Sequence, residues 1–276
     1  MKESNKQFSR VLLTMVLILL PFTTMMAQNV QVQRQRKSAT PTQKPVRQRS
    51  RDAILRELID NMVYVEGGTF QMGSTISDYS DEKPVHTVTV LSFYIGKTEV
   101  TQEQWQTVMG NNPSEFKDAK RPVERVSWDD CQEFITKLNT LTGKRFRLLT
   151  EAEWEFAARG GNQSQGYIYS GSNTIDDVAW YGSNSGSTTH NVGKKAPNEL
   201  GLYDMSGNVW EWCQDWHDYS YYDHSPQANP TGPSSGAYRV CRGGGWSLGI
   251  EYCRAAYRGS DAPTFKGSDL GLRIAQ

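Results

Sequence analysis

From Gly160 onward the sequence carries no apolar stripe at helical spacing. Residues 160–276 are rich in Gly, Ser, Asn, Trp and Tyr, and long connections separate their short apolar patches. Connections beyond about 15 residues are uncommon in compact domains unless function or a ligand holds them. Upstream the periodicities are clear. Asp52–Asn61 (DAILRELIDN) places apolar residues at helical spacing and predicts a short helix. Met62–Val65 and Thr69–Gly73 read as strands around the turn Glu66-Gly67-Gly68, and Val85–Tyr94 alternates with period two over much of its length. Further helices are predicted from Thr101 to Met109, Ser127 to Leu141 and Thr150 to Ala158. The pairs Ser127/Asp130 and Thr150/Glu153 have capping-box spacing, and Gly143 and Gly160 stand where helix ends favour glycine. There is no internal repeat and no second core. The expectation is a single α+β domain over residues 52–276, low in regular secondary structure, with loops forming most of one face.

Charge divides the chain. Residues 28–51 hold seven basic side chains (Arg34, Arg36, Lys37, Lys44, Arg47, Arg49, Arg51) and no acid. Residues 52–276 hold 20 basic and 29 acidic residues, a balance of −9. A body this acidic is poorly suited to a phosphate backbone, so nucleic-acid binding is not expected. The basic stretch has too few aliphatic residues to order itself; it reads as a flexible linker that can also contact an acidic surface. Before it, Lys2, Lys6 and Arg10 precede the apolar run Val11–Leu20, with Pro21 and then Ala27 following. That order of charge, short apolar run and small residue predicts a signal peptide over residues 1–27. The run is too short to span a membrane, which needs about 20 residues. Export follows as the expectation, to a periplasmic, outer-surface or secreted location.

Four cysteines, Cys131, Cys213, Cys241 and Cys253, allow three full pairings, and their spacing matches no zinc template. Cys131, inside a predicted helix among apolar neighbours, reads as a buried free thiol. Cys213 and Cys241 flank strand-like motifs and can bridge if those strands are neighbours. Cys253 is either free or a partner of one of them.

Eight motifs follow in order: Val63-Tyr-Val-Glu-Gly-Gly-Thr-Phe-Gln-Met-Gly73, Lys97-Thr-Glu-Val-Thr101, Val126-Ser-Trp-Asp-Asp130, Arg147-Leu-Leu-Thr-Glu-Ala-Glu-Trp-Glu155, Ala158-Arg-Gly-Gly161, Gly201-Leu-Tyr-Asp-Met-Ser-Gly-Asn-Val-Trp-Glu-Trp212, Arg239-Val-Cys-Arg-Gly-Gly-Gly-Trp246 and Gly271-Leu-Arg273. In this order and spacing, from about Met62 to residue 276, the chain resembles the formylglycine-generating enzyme family, the sulfatase-modifying factors. The resemblance implies a single C-type-lectin-like α+β domain. For the oxidases of that family it implies a copper-binding cysteine pair five residues apart, whose thiolates suit a soft ion. Here the second position is Cys253, the catalytic candidate, but the first is Leu248, which offers no ligand and no redox chemistry; Gly245 stands where a serine is usual. Cys241 precedes the Gly-Gly-Gly turn and is expected outside the pocket.

The iron-dependent branch is implied to need facial histidines. His86, His190, His217 and His224 form no HxH or HxxxH pair. His217 and His224 are either metal ligands or part of a polar loop, and His86 reads as solvent-facing or hydrogen-bonded. The implied structural calcium site maps onto the side chain of Asn208, the carbonyl of Val209 and the carboxylate of Glu211, hard oxygen donors of the kind calcium takes. The alternative is that Asn208 caps a turn and Glu211 pairs with an arginine. Trp246, Arg254, Arg258 and Arg273 match residues implied to lie near the cleft, the arginines serving either substrate recognition or buried ion pairs. Tyr219, Tyr221 and Tyr222, beside Asp218 and Asp223, read as an exposed cluster of the sort that marks a binding surface.

Two functions stay open. One is an exported, non-catalytic or divergent domain whose loop-built cleft binds a protein, peptide or glycan at the cell envelope. The other is a copper- and oxygen-dependent oxidase converting a sulfatase cysteine to formylglycine.

Overall fold

The computed structural model describes residues 49–76 and 78–276. The expected signal peptide and nearly all of the basic linker lie outside the described residues. Ser50 accepts the Ala53 N–H and starts helix α1 (Arg51–Asp60), as the apolar spacing predicts. The helix buries Ile54 and Leu58, and Leu58 joins Trp105 and Val108 in an apolar cluster. Among the described residues no helix is long and apolar enough to cross a membrane.

Strands β1 (Met62–Val65) and β2 (Gly68–Met72) follow as expected. The alternating run Val85–Tyr94 does not form one strand. It divides into β3 (His86–Val90), an antiparallel partner of β2, and β4 (Phe93–Gly96), which pairs with β1. The break falls at Leu91 and Ser92, where Ser92 Oγ accepts the Gly67 N–H. Backbones approach so closely there that a Cβ on Gly67 would lie 2.5 Å from the Val90 carbonyl oxygen.

Helices α2 (Gln102–Met109), α3 (Trp128–Thr142) and α4 (Glu151–Ala158) all open on reciprocal capping boxes: Thr101 with Gln104, Ser127 with Asp130, Thr150 with Glu153. Gly143 ends α3 at φ 68°, the left-handed conformation that costs glycine least. Strand β5 (Arg147–Leu148) precedes α4, and one helical turn, α5 (Ile175–Val178), lies in the loop-rich half. There too run β6 (Trp210–Trp216), β7 (Arg239–Arg242), β8 (Gly259–Asp261), β9 (Leu270–Gly271) and β10 (Ile274–Ala275). One sheet has the order β1-β4-β10-β5, and another has the order β8-β7-β6-β9, in which β6 and β9 run parallel.

The β6–β7 pair separates two apolar cores. Cys213 and Val240 face Trp154 and Phe156 on one side; Trp212 and Cys241 face α3 residues Phe134 and Leu138 on the other. This placement settles the expected bridge. The strands are neighbours, but Cys241 is in register with Trp212, so Cys213, one residue on, points to the opposite face. All four cysteines are buried and free, Cys131 as the sequence predicts.

Candidate ligand-binding cleft

At the β7–β8 edge of the last sheet, four loops enclose a cavity of about 690 Å³. Strand β7 contributes Cys241 and β8 contributes Gly259, Ser260 and Asp261. Strand β6 contributes Trp210, and the rest comes from residues 78–81, 217–219, 248–258 and 265–270, which are mainly loops and short 3₁₀ turns. Its floor is aromatic. The ring of Tyr257 meets Tyr252 at 4.9 Å and Tyr79 at 5.0 Å, both edge-on, and Trp210 at 5.8 Å, within the range of favourable ring pairs. Asp78, Asp81, Asp261 and Asp269 line it as well.

Buried arginine pairs position these loops. Arg258 holds both carboxylate oxygens of Glu151, with Nε at 2.7 Å and Nη2 at 2.9 Å, while its Nη1 donates to the Asp81 carbonyl at 2.9 Å. One residue thereby ties the cleft loop 78–81 to the first turn of α4. Arg254 pairs with Glu82, its Nη1 2.9 Å from Oε2, and Arg242 pairs with Glu155 on α4. Bidentate guanidinium–carboxylate geometry fixes direction as well as distance, which a loop without a strand ladder needs. Arg258 and Arg254 are thus structural braces, the ion-pair alternative of the sequence reading. His217 Nε2 lies 3.5 Å from Asp81 Oδ2, and His224 packs against the Tyr221 ring; among the described residues no three His, Cys, Asp or Glu side chains converge as a metal site. The Nε2 of His86, which no partner satisfies, is buried beside Tyr222.

Arg273 is fully buried and centres a second charged cluster with Glu211, Glu99 and Asp204. Its Nε and Nη2 donate to Glu211 at 2.7–3.0 Å, its Nη1 to the Gly96 carbonyl and its Nη2 to the Tyr203 carbonyl, both at 2.8 Å. Trp154 Nε1 donates to the other side of Glu211 at 2.7 Å. The Asn208 amide oxygen accepts the His190 N–H at 2.9 Å, and its nitrogen donates to Glu99 at 2.7 Å. Both side chains expected to bind calcium are therefore engaged by protein donors. Beside them Glu99 and Asp204 are buried. Burial, then the charges of Asp204 and Glu211, hold the Glu99 carboxyl well above its ordinary range. Burial pushes Asp204 up to about 6, against the opposing pull of the Gly193 N–H and Arg273.

The family profile described as "Sulfatase-modifying factor enzyme 1-like domain" matches residues 49–276. The chain belongs to that family. It is 38 % identical over 267 residues to the chaperone protein LppX of Paenibacillus barcinonensis, covering 79 % of this chain and 89 % of the relative. It is 31 % identical over 282 residues to the formylglycine-generating enzyme of Streptomyces coelicolor, covering 77 % and 88 %. Among solved structures, Treponema denticola variable protein 1 superposes with a TM-score of 0.71 at 38 % identity, over 78 % of this chain and 94 % of that one.

Within this sulfatase-modifying-factor domain, the two positions implied for the oxidase thiols lie in different surroundings. Leu248 lines the cavity. Cys253 is fully buried against Tyr169, Val178, Ala179 and Tyr181, under Gly244, whose Cβ would come within 2.9 Å of its sulfur. Burial, then the charge of Glu251, pushes that thiol up to about 12. Cys241, expected outside, instead forms part of the cavity wall, its thiol raised by burial and then by Asp261 and Asp269. Trp246 is half-buried, its Nε1 donating to the Ser268 carbonyl at 3.0 Å. Of the three tyrosines expected to be exposed, only Tyr219 is, at 71 %; it lines the cavity. Tyr221 and Tyr222 are buried, and Tyr222 lies under the Arg258 guanidinium, 4.2 Å from centroid to cation. The sequence reading missed Tyr79, Tyr252, Tyr257, Asp261 and Asp269. The only available signal was the aromatic and acidic composition of residues 78–81 and 252–269, which no spacing rule connects.

Proposed function

We propose that this sulfatase-modifying-factor domain is an exported, non-catalytic binding protein that takes a polypeptide or glycan ligand in the aromatic-floored cavity. The observation that carries the reading is the cavity wall itself. Leucine stands where the oxidase chemistry needs a thiol, and the second thiol is buried away from the cavity. A thiolate is the copper ligand and the reactive form of cysteine, and burial in apolar surroundings opposes it. A relative named as a chaperone supports a protein ligand. The test is copper(I) titration of the reduced protein beside oxygen-dependent turnover of a sulfatase-type cysteine peptide, with Cys253→Ser as control. The expected result is no stoichiometric copper binding and no turnover. Tight one-to-one binding lost in Cys253→Ser, together with turnover, establishes the oxidase reading instead.

We also propose that Arg273, in place of calcium, balances Glu211. The donor set drawn from the resemblance does not fit the ion as arranged, because both Glu211 oxygens and the Asn208 amide oxygen already accept hydrogen bonds. Melting curves in chelator and in millimolar calcium are expected to coincide; a calcium-dependent rise in Tm would return the structural role to the ion.

A further inference from the structure

We propose that a groove between the end of β2 and the C-terminal end of α4 is a second ligand site, one that takes the oxyanion of a small carboxylate or phosphate. The groove holds about 240 Å³ and shares no lining residue with the aromatic cavity. Pockets for drug-sized ligands run to roughly 300–1,000 Å³, so this one suits a single compact group. Charge is the first support. Residues 52–276 carry a balance of −9, yet the charged residues described as lining the groove are Arg159 and Arg254, both cationic. Arg254 is matched by Glu82. Arg159 is matched less completely, because its partner Glu155 also serves Arg242. The other carboxylate near Arg242, Glu151 at 3.8 Å, is already held by Arg258 through Nε and Nη2.

Uncommitted donors are the second support. Arg159 Nε donates to Glu155 and Nη2 to the Gly73 carbonyl, each at 2.8 Å, while Nη1 has no acceptor among the described residues. Ser74 Oγ accepts the Ile76 N–H at 3.2 Å, which leaves its own proton to give. The hydroxyls of Thr75 and Tyr167, also in the lining, take no hydrogen bond among the described residues. The third support is rigidity. The Gly73 N–H donates to Glu155 at 2.9 Å and its carbonyl accepts from Arg159, so α4 grips both sides of the peptide that carries Ser74 and Thr75. Donors fixed before a ligand arrives lose little freedom when it binds. A guanidinium fork fits carboxylate and phosphate oxygens alike. A neutral apolar group would cover Arg159 Nη1 without supplying an acceptor, which costs a desolvated donor.

The probes are inorganic phosphate, succinate and succinamide, the neutral counterpart of succinate, titrated into the intact protein and followed by calorimetry and two-dimensional NMR. Phosphate or succinate is expected to bind saturably at one site and to shift the backbone signals of Gly73, Ser74, Thr75 and Ile76. Binding is expected to weaken as salt rises, and succinamide is expected not to bind. The tighter of the two anions identifies the oxyanion that the site takes. Arg159→Gln is expected to weaken that anion at least about tenfold. Because this change also removes a partner of Glu155, Ile76→Glu serves as a second variant. Ile76 lines the groove and is 71 % exposed, so a carboxylate there opposes the anion without disturbing the core. A similar loss of affinity is expected, with the melting temperature retained. The inference is overturned if neither anion binds saturably, if succinamide binds equally well, or if binding survives both variants unchanged. The copper and peptide tests of the aromatic cavity involve other residues, so the two readings stand or fall separately.

Discussion

Replacing Arg273 with methionine is expected to destabilise the domain by about 3–5 kcal/mol, because breaking a buried ion pair leaves an uncompensated charge. The side chain is fully buried, touches Glu211 three times and caps the carbonyls of Gly96 and Tyr203. Without it Glu211, Glu99 and Asp204 would share a buried site with no cation. Methionine roughly preserves the volume, so the loss reports charge and hydrogen bonding more than a cavity. The discriminating measurement is a double-variant cycle by denaturant titration at neutral pH. Glu211→Gln keeps an acceptor for Trp154 Nε1 and removes the charge that Arg273 neutralises. Arg273→Met/Glu211→Gln is expected to be less destabilised than the sum of the single variants, by about 1–3 kcal/mol. Simple additivity would show that the pair does not act as a unit.

Asp204→Asn is expected to stabilise the protein at pH 7.5 and to leave it unchanged near pH 4. Asp204 is held at about 6 in the fold against an ordinary value of 3.8. A carboxyl raised in this way binds its proton more tightly folded than unfolded. The group therefore costs nothing below the unfolded value, costs progressively more between pH 4 and 6, and imposes its full penalty above pH 6. The rise from 3.8 to about 6 corresponds to roughly 3 kcal/mol. Asparagine removes the charge while its oxygen keeps the Gly193 N–H, which Asp204 accepts at 2.6 Å. It also tolerates the left-handed backbone at this position, φ 58°. The check is the difference in unfolding free energy between variant and parent across pH 4–8; a flat difference would refute the buried-charge account.

Features written in local sequence were legible, and features made by long-range closure were not. Capping boxes at Ser127 and Thr150 and the glycine at 143 announce helix ends because the groups they satisfy lie within four residues. The arginines show the opposite case. Arg254, Arg258 and Arg273 were marked by motif, but their partners Glu82, Glu151 and Glu211 lie 172, 107 and 62 residues away. No periodicity links such positions, so ion pairing and ligand recognition looked equally open. Tyr221 and Tyr222 misled for a related reason. Their neighbours are polar, yet a single 3₁₀ turn over Tyr221–Asp223 tucks both rings inward, and Arg258 covers Tyr222. The cysteines turn on parity: the bridge is conditional on neighbouring strands, the strands are neighbours, and one residue of register still puts the two thiols on opposite faces.

Strand β10 lies between β4 and β5, and β9 lies beside β6. An interior position of one sheet and an edge of another are thus filled by residues 270–275, late in the domain's sequence. During biosynthesis neither sheet can be completed until these residues have been made, however long the earlier strands have been available. Such distant pairing is entropically slow to form. The nascent domain passes through a stage in which β4 and β5 expose unpaired edges, so a binding partner or chaperone that acts before closure meets a different surface from one that acts after it.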